Sequence, residues 1–378
     1  MLFQYFREEP LLFCILAILI FSAFIQLVYY WGVFARLAFR RKNIDNSAPD
    51  QPVSIVICAR NEYRNLAENL PLILQQDYPD FEVVVVNDNS DDESNFLLED
   101  LAKEFKNLSI VTISQTLNFF SGKKFPLSIG IKSAKHELLL LTDADCRPRS
   151  SQWLRQMQRN FTPGTDIVLG YGAYEPGQGL LNKLIRFDTL HISIQYFSLA
   201  LAHLPYMGVG RNLAYRKSLF YKHNGFISHY RIPSGDDDLF VNKAATSRNT
   251  RIEITPGSHT LSQAKTTLSA WMRQKRRHFS SSHYYKARHK FVLSLYLGSQ
   301  FLFLASFIFL ISQGWMYQVV LGIFGLRLIS QLIIFKKCMI QLEERNLLLL
   351  LPLHEVFFVL FNPLVGLSNF FQPKIPWK

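Results

Sequence analysis

Leu138-Leu139-Leu140-Leu141-Thr142-Asp143-Ala144-Asp145-Cys146-Arg147-Pro148 is the stretch around which the chain is organised. An apolar run bounded by polar residues and ending in two carboxylates reads as a strand buried on both faces of a parallel sheet. Asp143 and Asp145 then emerge at its carboxyl end, the edge at which open α/β sheets bind ligands. If the strand direction continues through the pair, residues two apart project to the same side. Both carboxylates then address one hard cation, with nucleotide phosphates supplying its other oxygens, and the pair is the metal corner of a nucleotide-sugar site. Acidic pairs are also common in solvated turns, so the rest of the chain decides between the two readings.

The 378 residues suffice for one large α/β domain with additional elements, or for two domains. Hydrophobic residues make up 49% of the chain, with 32 Phe, so lipid-facing segments are expected. A formal net charge of +12 points to an anionic partner: nucleic acid, phospholipid headgroups or a nucleotide diphosphate. Cys14, Cys58, Cys146 and Cys338 are far apart and form no Cys-x-x-Cys pair. They indicate neither a zinc site nor a disulfide framework, and reduced, cytosol-facing thiols are expected.

Residues 11–34 are almost uninterruptedly apolar, long enough to cross a hydrocarbon core and too long for a signal-peptide core. Arg36, Arg40, Arg41 and Lys42 follow at once, whereas Arg7 is offset by Glu8 and Glu9, so everything after Arg36 is expected in the cytosol. Residues 43–52 read as a linker. From there strands at 53–58, 82–86, 108–113 and 138–143 alternate with helices at 61–76, 93–105 and 126–134, the pattern of βαβ units and a mainly parallel sheet. Beyond Pro148 the expected elements are a helix at 153–161, a strand at 166–171, a long helix at 180–204 and a short strand at 212–216 after Gly208 and Gly210.

Ser234-Gly235-Asp236-Asp237-Asp238-Leu239 opens a helix to about residue 245. First-turn carboxylates complement the helix dipole, yet three consecutive aspartates repel one another, and that cost invites a functional explanation. Residues 265–290 interleave basic and aromatic side chains directly before another apolar block, which suits a headgroup anchor better than nucleic acid. Residues 291–311, 315–335 and 347–367 are three further candidate spans, and Lys336 and Lys337 put the 336–345 loop on the cytosolic side. Pro352, His354, Glu355 and Pro363 make the last one a candidate broken or re-entrant helix.

An ordered series of motifs then gives a resemblance. Residues 54–62, ending Arg60-Asn61-Glu62, resemble the opening strand and turn of the membrane-bound family 2 glycosyltransferases. Val86-Asn87-Asp88-Asn89-Ser90-Asp91-Asp92 resembles that family's second strand and acidic turn. Gly122-Lys123, Asp143-Ala144-Asp145, Gly210-Arg211-Asn212, Gly235-Asp236-Asp237 and Gln274-Lys275-Arg276-Arg277-His278 continue the order over about 220 residues. The resemblance implies a GT-A fold, a Rossmann-like α/β domain with a mainly parallel central sheet, flanked by transmembrane helices. The implied layout is a first span and basic flank at 1–42, a cytosolic catalytic domain at 50–264, a basic interfacial segment at 265–290 and about three helices over 291–371.

By the same resemblance Glu62 and Asp88 contact the nucleoside, and Lys123 lies near the donor phosphates. Asp145, with Asp143, holds a Mg or Mn ion; Gln274 and Arg277 close over the diphosphate; Gly210, Asn212 and His278 line the acceptor side. Asp237 is the general base, with like-charge repulsion from Asp236 and Asp238 raising its proton affinity. Matching Asp-x-Asp-Leu instead selects Asp236, whereas the turn residue Gly235 favours Asp237. The implied activity is metal-dependent, inverting hexosyl transfer from a UDP- or GDP-sugar to a lipid or lipid-linked glycan at the cytosolic face of a plasma or inner membrane, in building a cell-envelope glycan. No nucleic acid is implied. His278 stands where processive synthases of the family carry tryptophan, which weakens the alternative of a polysaccharide synthase. A non-catalytic membrane scaffold is disfavoured by the intact Asp143, Asp145 and Asp237.

Overall fold

The computed structural model describes residues 9–41, 49–114, 122–232 and 234–371. Arg7, Glu8, Lys42 and most of the expected linker lie outside the described residues. The chain divides into two compact units. One comprises residues 41–286 and 365–378, the other residues 1–40 and 287–364.

The helical unit opens with α1 (Pro10–Ala38), whose stretch Val28–Phe34 is π-helical, a widening the apolar pattern did not announce. The α/β unit follows with β1 (Val53–Ala59), α2 (Tyr63–Leu74), β2 (Phe81–Asp88), α3 (Ser94–Glu104), β3 (Leu108–Ile113), α4 (Lys124–Ser133) and β4 (Leu138–Asp143). Then come β5 (Cys146–Pro148), α5 (Trp153–Gln158), β6 (Ile167–Leu169), β7 (Gly172–Tyr174), α6 (Leu180–Leu201), β8 (Leu213–Arg216) and α7 (Lys217–Lys222). The unit closes with α8 (Asp238–Ala244), β9 (Thr250–Ile252), β10 (Thr260–Ser262) and α9 (Leu268–Ser282). The remaining helices are α10 (Ala287–Ser312), α11 (Tyr317–Gln341) and α12 (Leu351–Phe371).

The main sheet has the order β3-β2-β1-β4-β8-β6-β9. β1 through β4 are mutually parallel, and every residue of β1 is buried, as expected of a strand covered on both faces. Each fully buried Val, Leu or Ile here stabilises the fold by about 1.5–3 kcal/mol. α4 packs so closely on this layer that a Cβ at Gly130 would stand 2.7 Å from Val56 and 2.8 Å from Val86. In register, Cys58 is level with Asp143 and Ala59 with Asn87, so β1, β2 and β4 end together. β8 runs antiparallel between β4 and β6, with Leu213 opposite both Leu141 and Leu169. That reversal brings the loop before β8 to the edge where β4 ends. A second sheet, β5-β10-β7, was not legible in the sequence because its strands are only three residues long.

Two expectations are corrected. Lys336 and Lys337 belong to α11, not to a loop, because the helix continues to Gln341. The last apolar segment is one helix running through Pro363, not a broken or re-entrant one. The basic segment at 265–290 is divided: α9 ends at Ser282, and α10 starts anew at Ala287.

Among the described residues, four helices are long and apolar enough to cross a membrane: α1, α10, α11 and the stretch Leu348–Ser368. They share a buried polar knot. The Arg327 guanidinium of α11 pairs with Glu355 of α12 through both of its terminal nitrogens. Its Nε donates to Gln26 of α1 at 2.7 Å, Nη1 donates to Gln331 at 2.9 Å, and Gln300 of α10 donates to Glu355 at 3.0 Å. Ionisable groups inside a span are tolerated when paired with one another and turned inward, as here.

Candidate active site

The loops after β1 and β2 are stitched together. The Asn61 amide donates to Ser90 Oγ at 2.9 Å, Asn61 Oδ1 accepts from the Asp91 amide at 2.8 Å, and the Tyr63 amide donates to Asp92 at 2.9 Å. Asn61 and Asn89 take the left-handed conformation, with φ of 54° and 49°, which asparagine tolerates better than most side chains. Asn87 is fully buried and spends its amide on Asn95 and its carbonyl on Ser90. It shapes this loop and leaves Asp88 as the carboxylate at the rim. Burial raises the Asp88 proton affinity, against the opposing charge of Arg60. Glu62 is buried and accepts from Asn65.

β4 ends at Asp143, and Ala144 and Asp145 form a turn before β5. The two carboxylates therefore converge through a turn and not through strand alternation. A carboxylate oxygen from each and the Cys146 Sγ lie within 4.8 Å of one another. Lys123, buried at the start of α4, forms an ion pair with Asp143. Burial opposes the charge of both partners, yet Asp143 is held below the ordinary carboxylate range by Lys123, Arg211 and Arg277, and Lys123 is held above its ordinary value by Asp143 and Asp236. Asp145 moves the other way, raised by burial and then by Asp143.

The aspartate run divides into three roles. Asp238 is buried and accepts from the Ser281 hydroxyl at 2.5 Å, the Tyr285 hydroxyl at 2.7 Å and the Leu239 amide at 2.7 Å. Asp237 caps α8, accepting from the Asp238 amide at 2.7 Å, and also accepts from the Gly210 amide at 2.7 Å. Its carboxyl is pushed up to about 8, by burial first and only then by Asp236 and Asp238. Asp236 accepts no hydrogen bond among the described residues and lies within electrostatic reach of Lys123 and Lys124. Gly235 has φ of 101°, and a Cβ there would meet Leu239 at 2.5 Å, so the turn requires glycine.

Asn212 was expected on the acceptor side. It is fully buried, donates to the carbonyls of Tyr171 at 3.0 Å and Ser258 at 2.7 Å, and accepts from Trp153 Nε1 at 3.0 Å. Both amide hydrogens are used within the protein, and the side chain braces the loop before β8. Gly210 likewise turns its amide to Asp237. His278 lies exposed on α9. Gln274 donates to the Tyr174 hydroxyl at 3.0 Å, and its Oε1 is buried without a partner among the described residues. The Arg277 guanidinium, near enough to Asp143 to favour its charge, makes no hydrogen bond among the described residues.

Two residues were missed. Arg211 lies over the Tyr174 ring at 4.3 Å, donates to Ser262 at 3.0 Å and favours the charged forms of Asp143 and Asp145. Its only sequence signal was its place inside Gly210-Arg211-Asn212. Lys124 is buried and donates to the carbonyls of Ile232 and Ser234, each at 2.5 Å, holding the segment that leads to the aspartates.

Residues 54–223 match the family model described as glycosyl transferase family 2. An uncharacterized glycosyltransferase of Haemophilus influenzae is 23% identical over 194 residues, covering 50% of this chain and 58% of that protein. A beta-monoglucosyldiacylglycerol synthase of Nostoc sp. is 32% identical over 124 residues, covering 32% of this chain and 26% of that one. The matched region thus spans less than two thirds of the length of these relatives. Among solved structures, the mannosyltransferase PcManGT from Pyrobaculum calidifontis, in complex with GDP-Man and Mn2+, superposes with a TM-score of 0.58 at 19% identity, covering 93% of this chain and 99% of that one. At that identity the likeness is one of fold, the GT-A arrangement.

Proposed function

We propose that this chain, whose residues 54–223 match the model of glycosyl transferase family 2, is an inverting glycosyltransferase moving a sugar from a nucleoside diphosphate to a membrane-associated lipid or lipid-linked glycan. The observation that carries the reading is the division of one sheet edge into two chemistries. Asp143, Asp145 and Lys123 form a charged corner with Arg277 nearby, and Asp237 stands apart with a proton affinity suited to a base.

Asp237 takes the proton of the acceptor hydroxyl while the acceptor oxygen forms a bond to the anomeric carbon and the bond from that carbon to the diphosphate breaks. A single displacement from the opposite side inverts that carbon. The Gly210 and Asp238 amides hold the Asp237 carboxylate in orientation. Arg277 supplies a forked donor to the departing diphosphate oxygens, and Lys123 adds a fixed charge. Glu62 and Asp88 receive the nucleoside on the stitched loops. Two converging carboxylates are the hard oxygen set that suits Mg or Mn, and an ion held by Asp143 and Asp145 would neutralise diphosphate charge.

The four apolar helices favour an acceptor that resides in the membrane. Arg36, Arg40 and Arg41 at the end of α1, and Lys336 and Lys337 near the end of α11, support a cytosolic side for those ends and for the α/β unit by the positive-inside bias. The test is a panel of UDP- and GDP-sugars offered with membrane lipids and Mn2+ to the detergent-purified chain, read by nucleoside diphosphate release and product mass. Asp143→Asn and Asp237→Asn should each lower turnover by about 10²–10⁴-fold. Full turnover in Asp237→Asn removes the base assignment, and no release with any donor removes the reading.

A further inference from the structure

The helix that carries Gln274 and Arg277 buries a charge. Along α9, Trp271, Lys275 and Phe279 recur every four residues and therefore share one stripe. Trp271 is 2% exposed and Lys275 5% exposed, and the Lys275 ammonium lies 6.0 Å from the Trp271 ring and 5.2 Å from the Phe279 ring. An aliphatic side chain would fill that position without cost. Instead the ammonium donates to both oxygens of Asp188 on α6, at 2.7 and 2.8 Å, and Asp188 is itself only 7% exposed.

A buried ion pair adds little net stability, because desolvating both partners offsets their attraction, but it penalises every arrangement that separates them. Turning α9 by one residue swings a side chain through about 100° and would leave a carboxylate and an ammonium buried apart. Lys275 lies between Gln274 and Arg277, so whatever fixes its direction fixes theirs. The far end of α9 is tied separately, through Ser281 and Tyr285 to Asp238. Near the cleft, Gln274 on the Tyr174 hydroxyl and the Ser234 hydroxyl on the Arg277 carbonyl add two neutral ties, and the Asp188–Lys275 pair is the buried charged contact that penalises rotation about the helix axis.

We infer that Asp188, acting through Lys275, is a positioning residue for nucleoside diphosphate binding: it aims Gln274 and Arg277 at the diphosphate without touching it. This rests on the function proposed above. The discriminating variant is Asp188→Leu/Lys275→Met, which exchanges the ion pair for apolar side chains and so keeps the stripe filled. Binding of UDP and GDP to the full-length chain in detergent with Mn2+, followed by tryptophan fluorescence, is read beside the thermal midpoint and the donor and acceptor KM.

The double variant is expected to keep or raise the wild-type midpoint while weakening nucleoside diphosphate binding and raising donor KM by about tenfold, with acceptor KM unchanged. Asp188→Glu, which keeps the charge, is expected to recover most of the affinity. A stable double variant with wild-type affinity and donor KM overturns the inference and leaves the pair a structural contact. Equal losses for donor and acceptor overturn it too. A wild-type chain that binds neither nucleotide removes the proposed function itself, a result separate from either.

Discussion

At the scale of single residues, Asp237 combines a catalytic assignment with a stability cost. Burial and its two aspartate neighbours raise its proton affinity to about 8, whereas the unfolded chain leaves it at the ordinary carboxylate value. The folded state binds the proton more tightly, so the contribution of this group to stability is complete below the ordinary carboxylate range and is lost as pH rises toward about 8. Turnover should rise over the same interval, as the base loses its proton. Asp237→Asn should therefore show the lowered turnover stated above, yet lose less thermal stability than wild type as pH rises toward about 8, as read by unfolding scans without donor. The sequence showed three adjacent carboxylates and their repulsion. It did not show that Asp238 is absorbed by Ser281 and Tyr285, because those partners lie more than 40 residues away along the chain. The bracing contacts of Asn212 were hidden for the same reason: its three partners come from three distant segments.

At the scale of elements, the strands β1 to β4 were legible because buried parallel strands are continuous apolar runs, and their parallel pairing follows from the helices between them. The reversal of β8 was not, since a four-residue strand carries no mark of its direction. Nor was the close seating of α4, which depends on Gly130 having no side chain. Gly130→Ala places a methyl under 3 Å from Val56 and Val86 in a layer with no room to give. It should cost about 1–3 kcal/mol through overpacking, seen as a lowered thermal midpoint of the α/β unit. Because α4 begins at Lys124 with Lys123 as its cap, the same change should also weaken nucleotide binding, whereas an exposed substitution such as Lys132→Ala should alter neither.

At the scale of the whole molecule, the two units use charge in opposite ways. The α/β unit leaves Arg277 unpaired among the described residues, while the helical unit pairs Arg327 on every side. Replacing Glu355 by Leu would strand that guanidinium in an apolar bundle. The expected cost is about 3–5 kcal/mol, measured as a lowered unfolding midpoint in detergent and faster proteolysis of the helical unit. Adding Arg327→Leu to Glu355→Leu should restore much of it. The sequence announced four spans by length and composition, but not that Gln26, Gln300, Arg327 and Glu355 meet, since their separations exceed any helical or strand period. The knot also bears on how the chain is made. Ribosomes deliver α11 before α12, so Arg327 is synthesised ahead of Glu355, the carboxylate that pairs with it in the knot. Until α12 is made, α1, α10 and α11 hold a cation whose carboxylate partner in the knot is still missing.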